Sequence, residues 1–416
     1  MAQYHTLVFG ALGDHLMSKP STISRRDVLA QGSSALMALA ISDSPLFAWA
    51  QEGERTIRWL DQFPSPPKEI AEEMGTDMNL LDWQSLDTWI TPNRKFFRAN
   101  HYKTPAIDAK SWRLEIGGLV DKTHSYGLDE ITALPKKDVF FAMECSGNSG
   151  FPWFEGGVGN ARWSGMPLAP VLEKAGLKKG AIEVVFFAAD GGEETVPYIG
   201  GGGEKFDDIK MKLEFARSMS VTDALDPANL LCYEMNGEPL LPEYGFPVRL
   251  IAPGWYGIAN VKWLKRIELR DTRFMGPFMA QRYVTIREEP SPNGGTHWTR
   301  MSVSRSHVKS IPAKVTVKNG QYTVHGAAWG APVTGVEVRF DQGPWTAASI
   351  DEGQQYEFAW RFWHFDWKNP SPGVHRITSR ATDRGGNVQP AMEDWQIARK
   401  HSYWESNGQI TRTIRI

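Results

Sequence analysis

Residues 137–150 read KDVFFAMECSGNSG. The first part is an apolar run with the composition of a strand, and it delivers Cys145 at its end. Ser146-Gly147-Asn148-Ser149-Gly150 then forms a tight turn of small residues. Small neighbours leave a sulfur uncovered, and an uncovered sulfur is a reagent or a ligand before it is packing. The chain holds 2 cysteines, too few for a disulfide framework. They could form one bridge, but Cys232 lies in NLLCYEMNG, an apolar run that reads as a buried strand, where cysteine acts as a small hydrophobe.

Outward from this stretch, further elements are legible. WRLEIGGL (112–119) alternates and ends in a Gly-Gly turn. SYGLDEITALP (125–135) has polar caps and a proline stop, a short helix. PLAPVLEKAGL (167–177) has helical apolar spacing and a terminal glycine. AIEVVFFAADGG (181–192) and PANLLCYEMNGEPL (227–240) read as strands ending in turns at Asp190-Gly191 and Asn236-Gly237. GFPVRLIAPGWYG and NVKWLKRIEL complete an α+β domain over 91–290. Near 290 the pattern changes. EEPSPNGGTHW (288–298) is Pro/Gly-rich and reads as a linker. Beyond it, period-2 runs separated by turn signals every ~8–12 residues predict an all-β, immunoglobulin-like sandwich over 291–416. Residues 51–90, with FPSPPKE, read as an irregular N-terminal arm, and the Gly200–Gly203 run as a flexible insertion loop without the Lys-Ser/Thr of a phosphate loop.

Residues 1–50 read as a twin-arginine export signal. Arg25 and Arg26 follow Ser24, a weakly apolar stretch spans Ala35 to Ile41, and Ala48-Trp49-Ala50 predicts cleavage near Ala50. Val28 stands where Phe is usual. The apolar run is far shorter than the ~20 residues that span a bilayer. The long lead before Arg25 fits an extended n-region or a start at Met17. That route carries folded proteins and delivers to the periplasm, which suits a chain that takes up a cofactor first.

Composition is that of a globular protein of two or three domains, 416 residues with 23% charged and 41% hydrophobic. Lys plus Arg is 46 against 48 Asp plus Glu, so no basic excess points to nucleic acid.

The chemistry open to Cys145 narrows by what is missing. A cysteine hydrolase needs a histidine beside the nucleophile, and the sequence places neither His101, His124 nor His297 there. Zinc sites want several cysteines or paired histidines at short spacing, and none appear. No C-x-x-C-H haem motif exists. Cys145 would then be the single protein ligand to a redox metal that brings its other ligands with it; a dithiolene cofactor would supply the remaining sulfurs.

Several blocks, in order, resemble the sulfite oxidase family. FFAMECSGNSGFPWFEGGVGNARWSGMPLAPVL is similar to its molybdenum domain, and LLCYEMNGEPLLPEYGFPVRLIAPGWYGIANVKWLKRIEL matches it almost continuously. ITPNRKFFRANHY resembles its first segment and TSRATDRGGNVQP the end of its dimerisation domain, so the likeness runs from Thr91 to Pro390. The resemblance implies a molybdenum–molybdopterin cofactor with Cys145 as thiolate ligand. It implies pterin and phosphate contacts from Phe97, Asn100, His101, Asp190, Arg249, Asn260, Val261 and Lys262. Trp153 and Tyr283 would line the substrate pocket, with Tyr283 and Arg98 taking part in catalysis and Arg98 also binding substrate.

This sequence departs from the family pattern in places. Arg98 stands one residue earlier than the family's arginine, since Ala99 intervenes before Asn100. A strict strand register would turn it to the opposite face, so either a bulge or another cation is expected. Ser149-Gly150 replaces an arginine pair found in animal sulfite oxidases, and Tyr244 stands for a pterin-binding histidine. Arg361 lies near where the second domain sends a cation to the pocket.

The implied activity is oxidation of sulfite, or a related small sulfur oxyanion, to sulfate by oxygen-atom transfer. Electrons must then leave singly, and with no haem in this chain a separate periplasmic c-type cytochrome is the expected acceptor. The resemblance also favours a homodimer. Two alternatives stay open: a sulfane or thiosulfate-carrier dehydrogenase subunit or sulfoxide reductase on the same fold, and a cofactor-free exported binding protein.

Overall fold

The computed structural model describes residues 53–68, 78–196, 207–353 and 355–416. The export signal, part of the N-terminal arm and the Gly200–Gly203 loop lie outside the described residues. The chain divides into two compact units. The larger comprises Ala48–Gly191 and Glu214–Ile416 and carries the functional site; the smaller includes Gly192–Leu213.

The first domain is built on two sheets. One is antiparallel, in the order Arg249–Ile251, Leu230–Met235, Val158–Pro167, Lys137–Glu144. The other runs His124–Tyr126, Leu114–Gly118, Leu264–Arg270, Glu183–Val196, Ile209–Ser220, with Leu264–Arg270 parallel to Leu114–Gly118. Leu114, Ile116, Phe186, Leu250, Leu264 and Ile267 are buried in one core. The helix Leu168–Ala175 adds Leu168, Val171, Leu172 and Ala175 from a single face. It stops at Gly176, whose φ of 73° suits glycine. The Asn236-Gly237 turn forms as expected, with both φ values positive, which is what a tight hairpin needs.

Three expectations are overturned. Asp190-Gly191-Gly192 is no turn: the strand continues to Val196, because Ile209–Ser220 pairs with it. The segment near 290 is not a free linker. Val284–Pro290 pairs antiparallel with Thr296–Ser302, and the Pro/Gly cluster is the hairpin turn between them. The N-terminal arm is not wholly irregular either. Arg55–Ile57 adds a strand to the sandwich beside Val315–Val317, and Trp83 stacks on Trp329 with ring centroids 5.2 Å apart.

The second domain is the expected sandwich. One sheet runs Arg55–Ile57, Lys309–Lys318, Gln321–Trp329, Arg361–Trp367, Ser349–Ile350; the other Thr346–Ala347, Val333–Phe340, Val374–Asp383, Ile410–Arg415. Val315, Val324, Val336, Val338, Trp363, Ile377 and Ile414 fill the space between them. This domain also covers the first: the N–H of Ala142, on the outer strand that leads to Cys145, donates to the Phe358 carbonyl at 2.9 Å. An exposed strand edge is thereby closed. Among the described residues no helix is long and apolar enough to cross a membrane.

Candidate active site

Cys145 follows directly on the strand Lys137–Glu144 and opens the connection to Val158–Pro167. The turn is pinned by its own backbone. The Cys145 N–H donates to the Gly157 carbonyl at 2.8 Å, the Asn148 N–H to the Cys145 carbonyl at 3.0 Å, and the Ser149 N–H to the Phe154 carbonyl at 2.7 Å. Ser149 takes a positive φ of 62°. The thiol is half-buried and unbridged. Burial pushes it up to about 11, against an opposing contribution from the Gly147 N–H. Cys232, by contrast, is fully buried in the strand Leu230–Met235, as expected of a packing residue.

A buried ion pair underlies this turn. Glu144 and Lys309 are both fully excluded from solvent, with the ammonium 2.6 Å from Glu144 Oε1. Asn148 Nδ2 donates to the same oxygen at 2.8 Å, while Asn148 Oδ1 accepts from the Gly157 N–H at 2.9 Å. Ser149 Oγ donates to Glu155 at 2.7 Å, and burial raises Glu155 to about 7.

Tyr283 stands over the other side of the site. Its hydroxyl lies 2.6 Å from His101 Nε2. Burial, and after it the charge of Cys145, push Tyr283 well above the usual phenol range, so the hydroxyl keeps its proton. Trp404 packs on the Tyr283 ring at 4.2 Å and Tyr403 on Trp404 at 4.0 Å. Phe151 meets Tyr403 at 4.4 Å and stacks on Trp153 at 5.3 Å. A wall of aromatic faces thus surrounds the cysteine turn. The C-terminal return is fixed by Glu405, whose N–H donates to the Ser146 carbonyl at 2.7 Å and whose carboxylate accepts from Thr285 and from the Ser304 N–H. Buried Arg217 donates to the carbonyls of Phe278 and Val303, on either side of Tyr283.

A second cluster gathers around Lys262. Its ammonium donates to Asn100 Oδ1, to the Ala99 carbonyl at 3.2 Å and to the Glu243 carbonyl at 3.2 Å. Burial lowers it to about 7, with Arg249 adding repulsion and Asp190 opposing. Burial raises Asp190 to about 6, and Asp190 Oδ1 is buried with no hydrogen-bond partner. Asn100 and His101 are adjacent, so this cluster and the Tyr283 pair share one short segment. That segment is not a strand: residues 97–100 are irregular, which removes the question of strand register at Arg98. Arg98 lies 4.0 Å from Glu243 and bears electrostatically on Lys262.

The structure thus brings Cys145, Trp153, Tyr283 and His101 into one group, and Asn100, Asp190, Lys262 and Arg98 into its neighbour. Other expected contacts are engaged within the protein. Arg249 donates to the carbonyls of Tyr244 and Asn260, each at 2.9 Å, leaving only a buried Nε without a partner. Asn260 accepts from the Ala252 N–H at 2.8 Å and donates to the Tyr256 carbonyl at 3.1 Å. Val261 is buried, its carbonyl taken by the Leu250 N–H. The Tyr244 hydroxyl donates to the Phe96 carbonyl at 2.6 Å, and Phe97 stacks on Phe96. These residues shape the turn that presents Lys262.

Arg361 is placed differently from the expectation. It pairs with Ala328, which pairs with Ser310, so the pleat puts all three on the face toward the sandwich core. Lys309, one residue away and therefore on the opposite face, is the cation this domain sends to the cysteine turn. The sequence reading missed Lys309, Arg217, Tyr403, Trp404 and Glu405. Only the Tyr403-Trp404-Glu405 cluster carried a signal, as aromatic and acidic residues in a stretch without alternation.

A thiol beside a fixed N–H, an orphaned Asp190 oxygen and a buried lysine fit a metal carried by a polar, phosphate-bearing group. Among the described residues no cluster of three or more His, Cys, Asp or Glu could hold a metal ion. Two family profiles match in order, the oxidoreductase molybdopterin binding domain over residues 101–278 and the Mo-co oxidoreductase dimerisation domain over residues 293–406. The chain belongs to the sulfite oxidase family. Mitochondrial sulfite oxidase of Drosophila melanogaster is 31% identical over 344 residues, 73% of this chain and 56% of that one. The Homo sapiens protein is 30% identical over 340 residues, 73% of this chain and 58% of that one. The chain therefore spans a little over half the length of these curated relatives. In fold, this sulfite oxidase family member is similar to the sulfane dehydrogenase SoxCD from Paracoccus pantotrophus, with a TM-score of 0.65 and 21% identity, covering 93% of this chain and 96% of that chain.

Proposed function

We propose that this chain is a molybdenum-dependent sulfite dehydrogenase. It is exported to the periplasm by the twin-arginine route, works as a homodimer and passes electrons to a separate c-type cytochrome. The observation that carries the reading is the half-buried Cys145 thiol, held in a hydrogen-bonded turn and near enough to bear electrostatically on Tyr283, the partner of His101.

When bound, the molybdenum–pterin group supplies the two-electron and oxygen-atom-transfer chemistry. Cys145 would hold the metal. Lys262 and Asp190 would flank the pterin and its phosphate: the lysine would bring positive charge, its three N–H donors being held by Asn100, Ala99 and Glu243, and the partnerless Asp190 oxygen would accept a hydrogen bond from the group. The Tyr283 hydroxyl stays protonated and donates to a substrate oxygen, with His101 fixing its direction. The aromatic wall excludes bulk water. Arg98 supplies positive charge from the pterin side.

Purified protein from a molybdate-fed host is expected to contain stoichiometric molybdenum and to reduce a cytochrome c when given sulfite, with oxygen a poor substitute. Efficient use of oxygen alone would remove the cytochrome from the reading, and protein free of molybdenum would favour a cofactor-free binding role. A second reading draws on the aromatic wall. Phe151, Trp153, Tyr403 and Trp404 present ring faces where a free oxyanion would want cations. Such a wall also suits sulfane sulfur on a larger carrier, or a sulfoxide. Negligible turnover at millimolar free sulfite would select that class.

A further inference from the structure

Among the described residues, every hydrogen bond of the Lys309 ammonium lies on the cysteine turn or the residue before it, though Lys309 belongs to the other domain. It reaches Glu144 Oε1 at 2.6 Å, the Asn148 carbonyl at 3.4 Å and Ser149 Oγ at 3.3 Å. These are the residue before the thiol and the third and fourth after it. Glu144 and Lys309 are both fully buried, and Glu144 Oε2 has no hydrogen-bond partner. A desolvated pair of this kind stabilises little relative to well-packed apolar residues, because removing both charges from water costs about as much as their attraction returns. Its distinctive property is direction: a short, charge-assisted bond in a dry interior fixes the position of what it holds. Here it holds the chain on both sides of Cys145, at Glu144 before it and at Asn148 and Ser149 after it.

We propose that Lys309 is a positioning residue for the reaction, setting the orientation of the Cys145 sulfur from across the domain boundary through Glu144, Asn148 and Ser149. The inference rests on the reading of Cys145 as the metal ligand. By its geometry the sandwich is then part of the catalytic apparatus as well as a dimerisation module, since it supplies the cation that pairs with buried Glu144.

The test uses Lys309→Met, which fills the same volume without donors, and the double variant Glu144→Gln/Lys309→Met, which also removes the stranded carboxylate. Three quantities are read on the purified full chain: amide hydrogen exchange over 145–157, the thiolate-to-metal absorption band with molybdenum content, and kcat separately from KM. The double variant is expected to fold, exchange 145–157 at least tenfold faster with the sandwich strands unchanged, shift the absorption band, and lose at least tenfold in kcat at similar KM. Unchanged exchange and an unchanged band would overturn the proposal. So would a double variant that fails to fold, since Lys309 would then be a stabilising residue only. Wild-type protein without molybdenum would sink the metal reading, while the exchange measurement would still decide whether Lys309 orders the turn.

Discussion

The imidazole Nε2 of His101 and the hydroxyl of Tyr283 lie 2.6 Å apart, although 182 positions separate them in sequence. The two rings meet edge to face at 5.3 Å, so the contact is packed as well as hydrogen-bonded. Tyr283→Phe should keep the packing, retain molybdenum, and lower kcat by about 10²-fold, the usual contribution of a placed proton donor. Because burial holds the phenol well above its ordinary range, no loss of wild-type rate from its ionisation is expected up to pH ~10. A pH–rate profile with sulfite checks both statements.

Trp404 backs the Tyr283 ring at 4.2 Å from a segment near the C-terminus. Trp404→Ala should free that ring and lower kcat/KM by about tenfold, since small displacements of an orienting group are costly. Steady-state kinetics compared with molybdenum content would separate this from loss of cofactor.

The two cysteines should behave oppositely. Cys145→Ser should remove sulfite oxidation. Cys232→Ser should leave activity intact while costing about 1–2 kcal/mol, because a hydroxyl replaces a packed sulfur at a fully buried site. Activity and urea unfolding of the two variants decide it.

Glu155 predicts a pH dependence of stability. Burial raises it to about 7 from 4.5, so between those values the folded chain binds more protons than the unfolded chain. Stability from this group is full below pH ~4.5 and is lost as pH rises through ~7. Glu155→Gln keeps an acceptor for Ser149 and should be more stable than wild type at pH 8, by on the order of 2 kcal/mol after allowing for partial exposure, with no gain at pH 4. Thermal melts at both pH values test it.

The export proposal has its own check. Replacing Arg25 and Arg26 together by lysine should leave uncleaved precursor in the cytoplasm, because this route reads the arginine pair itself. Normal delivery of the double variant would refute it.

Much of the fold was legible because local pattern and tertiary role agreed. The strand ending at Cys145, the helix Leu168–Ala175 with its glycine stop and the alternating strands of the sandwich all follow from residues close in sequence. Cys145 stood out as a candidate by the small residues after it, and Tyr283 and Lys262 through family likeness. Where local signals were ambiguous the reading failed. Asp190-Gly191 looks like a turn, and only the pairing of Ile209–Ser220 holds it extended. EEPSPNGGTHW has linker composition, but the strands flanking its turn bond to each other.

The sequence by itself singled out Cys145 as the candidate metal ligand, because the small residues that follow it set this thiol apart from the packed sulfur of Cys232. Tertiary structure alone decided what surrounds the Cys145 thiol. Lys309 stands 165 positions from Glu144, and Tyr403 and Trp404 arrive from beyond most of the sandwich. In an alternating strand a lysine reads as solvent-facing. Its burial depends on a carboxylate from another domain, and a partnership over that distance exists only once both sheets have closed.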